Sequence, residues 1–185
     1  MLARWSRIDV LVNNAAVVTP GDKVGDLSAS HWHQALSINL IGAWLMSKWA
    51  LAPMRRAGRG VVINVASQLG SVAAVGRGAY GTSKAGLIAL ARAIAVDHAD
   101  EGIRAMSLSP GAVLTGRVLR RYGDAEAARQ ALAPRYPSGR LGEVEEIART
   151  ALFLMSKDAA FITGTDVRVD GGTPQYSGGR FVGCI

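Results

Sequence analysis

The sequence predicts an α/β fold built on a parallel sheet, and two observations carry the prediction. Short apolar runs at residues 8–12, 61–66, 103–108 and 166–169 have strand character, and the run at 61–66 is continuous enough to be buried on both faces. Longer helical patterns at 28–57, 79–100 and 143–156 lie between them, and this alternation layers helices on a parallel sheet. At 185 residues, 49% hydrophobic and 19% charged, the chain is the size of one globular domain with a substantial core. No repeat, low-complexity tract or linker divides it, so residues 1–185 are read as a single unit.

The elements follow in order. Residues 1–6 resemble the end of a helix leading into the strand at 8–12, and Asn13 and Asn14 after it are turn formers. Ser28 is placed to cap the long helix and Gly58 to stop it, with Pro53 expected to kink it or break its last turn. Its apolar stretch around 41–52 is interrupted by Lys48, as in a packed helix, and the face with Trp44 and Trp49 reads as core or subunit contact. Ser67 ends the strand at 61–66. The helix at 79–100 carries Tyr80 and Lys84 in its first turns and ends before Gly102. Between 113 and 142 the pattern weakens, with only 124–132 looking helical, and a connection this long is usually functional or mobile. The helix at 143–156 opens with acidic residues, which suit its N-terminal dipole. The tail 173–185 either packs on a neighbouring subunit or frays.

The chemistry concentrates between Ser67 and Lys84. Tyr80 and Lys84 stand at i, i+4 in Tyr80-Gly81-Thr82-Ser83-Lys84 and so share one helix face. An ammonium beside a phenol is expected to pull the phenol pKa down from its ordinary value of about 10, giving a group that exchanges protons near neutral pH. Ser67 projects from the carboxyl end of a buried strand, where ligands of parallel sheets bind. Such residues suit carbonyl or alcohol redox chemistry. Taken singly, each has a plainer reading: Tyr80 as a packed surface tyrosine, Lys84 as a solvated lysine, Ser67 as a turn former. His31, His33 and His98 lack a matching Cys or Glu set, and His31 and His33 do not share a helix face, so no metal site is expected. The net charge of +7 is spread over scattered arginines without exposed aromatic rows, which argues against nucleic acid.

These residues, in this order, resemble the short-chain dehydrogenase/reductase family. The resemblance rests on Asn13-Asn14-Ala15-Ala16 after the first strand, Asn39 in Ser37-Ile38-Asn39-Leu40, Ser67, Tyr80-x-x-x-Lys84, and Pro110-Gly111-Ala112-Val113-Leu114-Thr115. It continues through Gly139-Arg140-Leu141-Gly142-Glu143, Ile162-Thr163-Gly164 and Val169-Asp170-Gly171-Gly172, covering about residues 5–173. It implies the C-terminal part of a Rossmann-like doubly wound sheet in three α/β/α layers, with the N-terminal strands missing. It also implies a classical-type NAD(P)-dependent oxidoreductase interconverting a secondary alcohol and a ketone. In that reading Tyr80 is the general acid and base, and Ser67 hydrogen-bonds the substrate oxygen. Lys84 acts on Tyr80 and holds the nicotinamide ribose, and Asn39 anchors a proton-relaying water. Asn13, Ala15, Pro110, Gly111, Val113 and Thr115, with Tyr80 and Lys84, would contact NAD or NADP. Residues 113–142 would be the substrate lid, and the long helices would pair subunits into a homo-oligomer. Ala16 and Met106 depart from the family's usual glycine and asparagine.

No G-x-x-x-G-x-G turn opens a helix after an early strand. A second reading therefore stands beside the first: a non-catalytic truncated relative, or a pairing subunit unable to hold a dinucleotide alone. The strand at 8–12 is expected to lack a neighbour on one side. Cys184 is the single cysteine, no uninterrupted apolar run reaches transmembrane length, and no secretory apolar core is present, so a cytoplasmic protein acting on a small molecule is expected. Asp100-Glu101 after the catalytic helix argues against an acidic carrier protein as substrate.

Overall fold

A computed structural model describes residues 7–172. The expected helix end at 1–6 and the tail 173–185, with Cys184, lie outside the described residues. Four strands, β1 (Val10–Asn13), β2 (Gly60–Val65), β3 (Ile103–Pro110) and β4 (Asp166–Val169), form one sheet in that order. Every neighbouring pair is parallel. Strand β1 is an edge, as expected, and leaves Val12 partly exposed.

The period-2 alternation of β2 divides the core. Val62 faces Met54, Ile94 and Ala105 on one side, where α2 (Gly42–Ala57) and α3 (Gly78–Asp97) pack. Val61 and Ile63 face Met106, Leu108 and Leu154 on the other, under α6 (Val144–Met155). The sheet is thus sandwiched between helices, and the α/β/α architecture holds. Met106 fills this second cluster and is fully buried, so it contributes packing where an amide would have sought a partner.

The long helix begins where expected. The Ser28 hydroxyl accepts the His31 N–H at 3.2 Å and opens α1 (Ala29–Leu36), and Gly58 closes α2 in the left-handed conformation at φ 63°. The interruption expected at Pro53 lies elsewhere. Pro53 is buried within α2, whose helical run continues to Ala57, while residues Ser37–Ile41 form a π-turn between α1 and α2. The π-turn holds Asn39 inward, and three hydrogen bonds of its amide offset the irregular backbone. By length and composition the Ala29–Ala57 segment is apolar enough to cross a membrane, at a mean hydropathy of 1.2. Its inward polar groups are nevertheless bonded into the sheet layer: the Asn13 amide donates to the Ser47 hydroxyl at 3.1 Å and to Asn64 Oδ1 at 2.9 Å, and Asn64 donates to the Leu87 carbonyl at 3.1 Å.

The weak stretch after β3 is more ordered than its pattern suggests. Two short helices, α4 (Gly116–Tyr122) and α5 (Ala125–Leu132), pack Val118, Ala128 and Leu132 against Ala112, Tyr136 and Leu141. Helix α4 was missed because its glycine start and arginine-rich surface mask a single buried residue, Val118. Helix α6 is opened by a reciprocal capping box between Glu143 and Glu146. The Arg140 guanidinium grips both Glu146 oxygens at 2.7 and 2.8 Å and holds that carboxyl down at about 2.

Candidate active site

A cavity of about 450 Å³ opens at the carboxyl ends of β1, β2 and β3. Parallel sheets direct the ends of their strands to this side, so residues just past each strand converge although they are far apart in sequence. Ser67 follows β2, Pro110 ends β3 and Gly111 follows it, and Tyr80 and Lys84 come from the first turns of α3. Val113 and Thr115 complete the wall on the β3 side. Gly111 has a steric reason to be glycine: an added Cβ would stand 2.8 Å from the Asp170 backbone.

The Tyr80 hydroxyl lies beside the side chains of Ser67 and Arg117, both of which favour its ionised form. The hydroxyls of Ser67 and Tyr80 thus meet on one side of the sheet. Ser67 also accepts the Leu69 N–H at 3.2 Å, so its turn-forming role is present as well. Tyr80 is 5% exposed, and burial pushes its phenol above the usual value of 10.0, against the pull of Arg117 and the Ser67 hydrogen bond. This reverses the expected direction. The i, i+4 geometry does bring Lys84 to Tyr80, with Nζ 5.6 Å from the ring centroid. The ammonium, however, donates to the Val65 carbonyl at 2.7 Å, and burial together with the Arg117 charge lowers its own pKa from 10.5 to about 8. Desolvation outweighs the attraction that helix spacing suggested. Arg117 and, more weakly, Arg77 are the cations acting on the phenol, rather than Lys84.

The remaining predicted residues divide. Asn14 and Ala16 line the cavity, whereas the Asn13 side chain turns to the helices and Ala15 is exposed away from the wall. Alternate residues of an extended chain face opposite ways, and β1 ends with Asn13 on the helix side. Asn39 stands behind the cavity: its amide donates to the Ser83 hydroxyl at 3.0 Å and pairs with both backbone groups of Val17. It ties the loop after β1 to the residue preceding Lys84. Sequence reasoning passed over the Tyr136 hydroxyl, which accepts the Gln68 amide at 2.9 Å and the Ala112 N–H at 3.0 Å. That bond pins the segment after Ser67 to the segment after β3. No local pattern marks it, since its partners are distant in sequence.

Glu101 is occupied by Arg55 and His98, which hold its carboxyl below the usual range. Among the described residues no three His, Cys, Asp or Glu side chains gather as a metal site.

A family model described as enoyl-(acyl carrier protein) reductase matches residues 1–174. A cis-4-hydroxycyclohexanecarboxylate dehydrogenase of Sinomonas cyclohexanicum is 38% identical over 170 residues, covering 92% of this chain and 67% of the relative. A D-beta-hydroxybutyrate dehydrogenase of Rhizobium meliloti is 34% identical, covering 91% and 69%. Among solved structures, levodione reductase superposes with a TM-score of 0.85 at 33% identity, covering 92% of this chain and 68% of that one. The NADP complex of ElxO superposes at 0.88 with 27% identity, covering 93% and 69%. The chain therefore spans about two thirds of the length of these relatives. By sequence, fold and the convergence of residues at the strand ends, it belongs to the short-chain dehydrogenase/reductase family of oxidoreductases.

Proposed function

We propose that this chain interconverts a secondary alcohol and a ketone, with Tyr80 passing the proton. The observation that carries the reading is that Ser67, Tyr80 and Lys84 line one cavity, with Ser67 beside the phenol. A substrate oxygen seated against both hydroxyls receives two donors aimed at the atom where negative charge develops. With its pKa raised by burial, Tyr80 is protonated at neutral pH and ready to donate to a ketone oxygen. In the reverse direction it accepts the alcohol proton, and this direction gains as pH rises.

The cofactor of this reaction is NAD or NADP, which supplies or takes up the hydride when bound. The described residues fit its nicotinamide end. The wall formed by Asn14, Ala16, Pro110, Gly111, Val113 and Thr115 is largely apolar, with Gly111 keeping the backbone close. Lys84 lies near enough to the cavity to hold ribose hydroxyls, and Asn39, through Ser83, braces the helix turn that carries it. Residues 113–142 act as the substrate lid in this reading. Two relatives are named for hydroxy acids and others for cyclopentanol and D-threitol, so a small secondary alcohol is the shared substrate class.

The chain also pairs with copies of itself in this proposal. Trp49 is 68% exposed and Trp44 47%, and with Ile41, Leu45 and Met46 they form an apolar surface on the outer side of the α2 segment.

A competing reading, a chain that holds no dinucleotide alone, is favoured by the exposed edge of β1 and by the lack of a glycine-rich turn in the 185 residues. Calorimetric titration with NADH and NADPH separates the two, since absence of heat from either supports the competing reading. Given binding, Tyr80→Phe is expected to abolish turnover while leaving cofactor affinity within about threefold, under the roughly 1 kcal/mol of one neutral hydrogen bond. Undiminished turnover by that variant excludes the acid/base role.

A further inference from the structure

Helix α4 presents a pair of cations to the reacting groups. The Thr115 hydroxyl accepts the Val118 N–H at 3.4 Å and starts the helix, and Val118 is its buried anchor. Arg117 and Arg121 are i, i+4 and so share one face, and both line the cavity. Arg117 is the cation that acts most strongly on the Tyr80 phenol. Arg55, Arg59, Arg129, Arg140 and Arg168 each meet a carboxylate, whereas Arg117 and Arg121 make no ion pair among the described residues. Among the described residues no Asp or Glu lines the cavity. Both guanidinium groups are exposed at the rim of a largely apolar cavity beside a proton donor, Arg121 lying 5.7 Å over the Tyr122 ring, and a planar anion entering there would meet them through paired hydrogen bonds.

We propose that Arg117, supported by Arg121, binds a carboxylate of the substrate, so that the chain acts on a hydroxy acid and its oxo acid. This rests on the alcohol–ketone reading above and narrows it. Because Arg117 stands beside the hydroxyl that receives the substrate oxygen, the carboxylate would lie close to the reacting carbon. Val118, Tyr122 and Leu132 receive the alkyl remainder. In reduction the carbonyl carbon takes a hydride from NADH or NADPH, which is oxidised, and the carbonyl oxygen takes a proton from Tyr80. The carboxylate forms and breaks no covalent bond.

The test is calorimetric titration of the whole chain with acetoacetate, with butanone as the neutral analogue and inorganic pyrophosphate as the mimic of a dinucleotide's phosphates. Acetoacetate is expected to bind more tightly than butanone, less so as salt is added. Arg117→Met should weaken acetoacetate about 10- to 100-fold, more than it weakens butanone, and Arg121→Met should weaken acetoacetate less. Arg117→Lys should recover part of the loss, since the charge remains without the paired geometry. Absence of acetoacetate binding overturns the proposal. So does a substitution effect confined to pyrophosphate, which would assign the arginines to the cofactor. The redox reading is judged separately, by reduction of butanone with NADH or NADPH. Turnover of butanone without acetoacetate binding removes the carboxylate assignment alone, and acetoacetate binding through Arg117 without reduction of either ketone removes the redox reading alone.

Discussion

Raising the pH above 8 should stabilise this protein, and Lys84 is the reason. Its side chain is 2% exposed, and burial followed by the Arg117 charge brings its pKa from 10.5 to about 8. Because the folded value lies below the unfolded one, the unfolded chain binds an extra proton between about pH 8 and 10.5, and stability rises with pH across that window. Below pH 8 both forms are charged and the fold carries the full cost, roughly 3 kcal/mol at about 1.4 kcal/mol per pKa unit. Integrating the two titrations gives a gain of about 2 kcal/mol between pH 7 and 9.5. The Tyr80 phenol, raised above 10.0, ionises beyond this range and does not mask the effect. The assay is urea unfolding of the wild-type chain and Lys84→Met from pH 7 to 9.5. The variant loses the bond to the Val65 carbonyl, but that loss is independent of pH and cancels when slopes are compared. The wild-type curve should climb relative to the variant by about 2 kcal/mol. Parallel curves would refute the claim that a buried, largely desolvated ammonium lies at the cavity wall.

Two further outcomes are expected. Asn64→Leu, at a fully buried position, removes the acceptor of the Asn13 amide and the donor to Leu87. It should cost about 1–3 kcal/mol, a fall in Tm of roughly 2–12 °C, read by calorimetry. An unchanged Tm would mean that this network is dispensable. Trp49→Glu places a charge on the exposed apolar surface of α2 and should shift the sedimentation coefficient to that of a monomer, whereas a monomeric wild-type chain would dismiss the proposed self-pairing.

Much of the architecture is written locally. Strand and helix periods appear within a few residues, so the element order, the capping at Ser28, the left-handed stop at Gly58 and the start of α6 could all be read along the chain. The spacing of Tyr80 and Lys84 likewise determined that they share a face, and the apolar run before Ser67 determined that it ends a buried strand. What their side chains do to each other was beyond local pattern. Desolvation depends on everything packed around a group, and it reversed the expected direction for Tyr80 and sent the Lys84 ammonium to the Val65 carbonyl. The arrival of Arg117 at Tyr80, the pin made by Tyr136 and the inward turn of Asn13 were decided by contacts between segments that only the folded sheet brings together. Sequence by itself determined which chemical groups are present and on which elements. Tertiary structure decided their protonation and partners, because charge and hydrogen bonding respond to neighbours in space rather than along the chain.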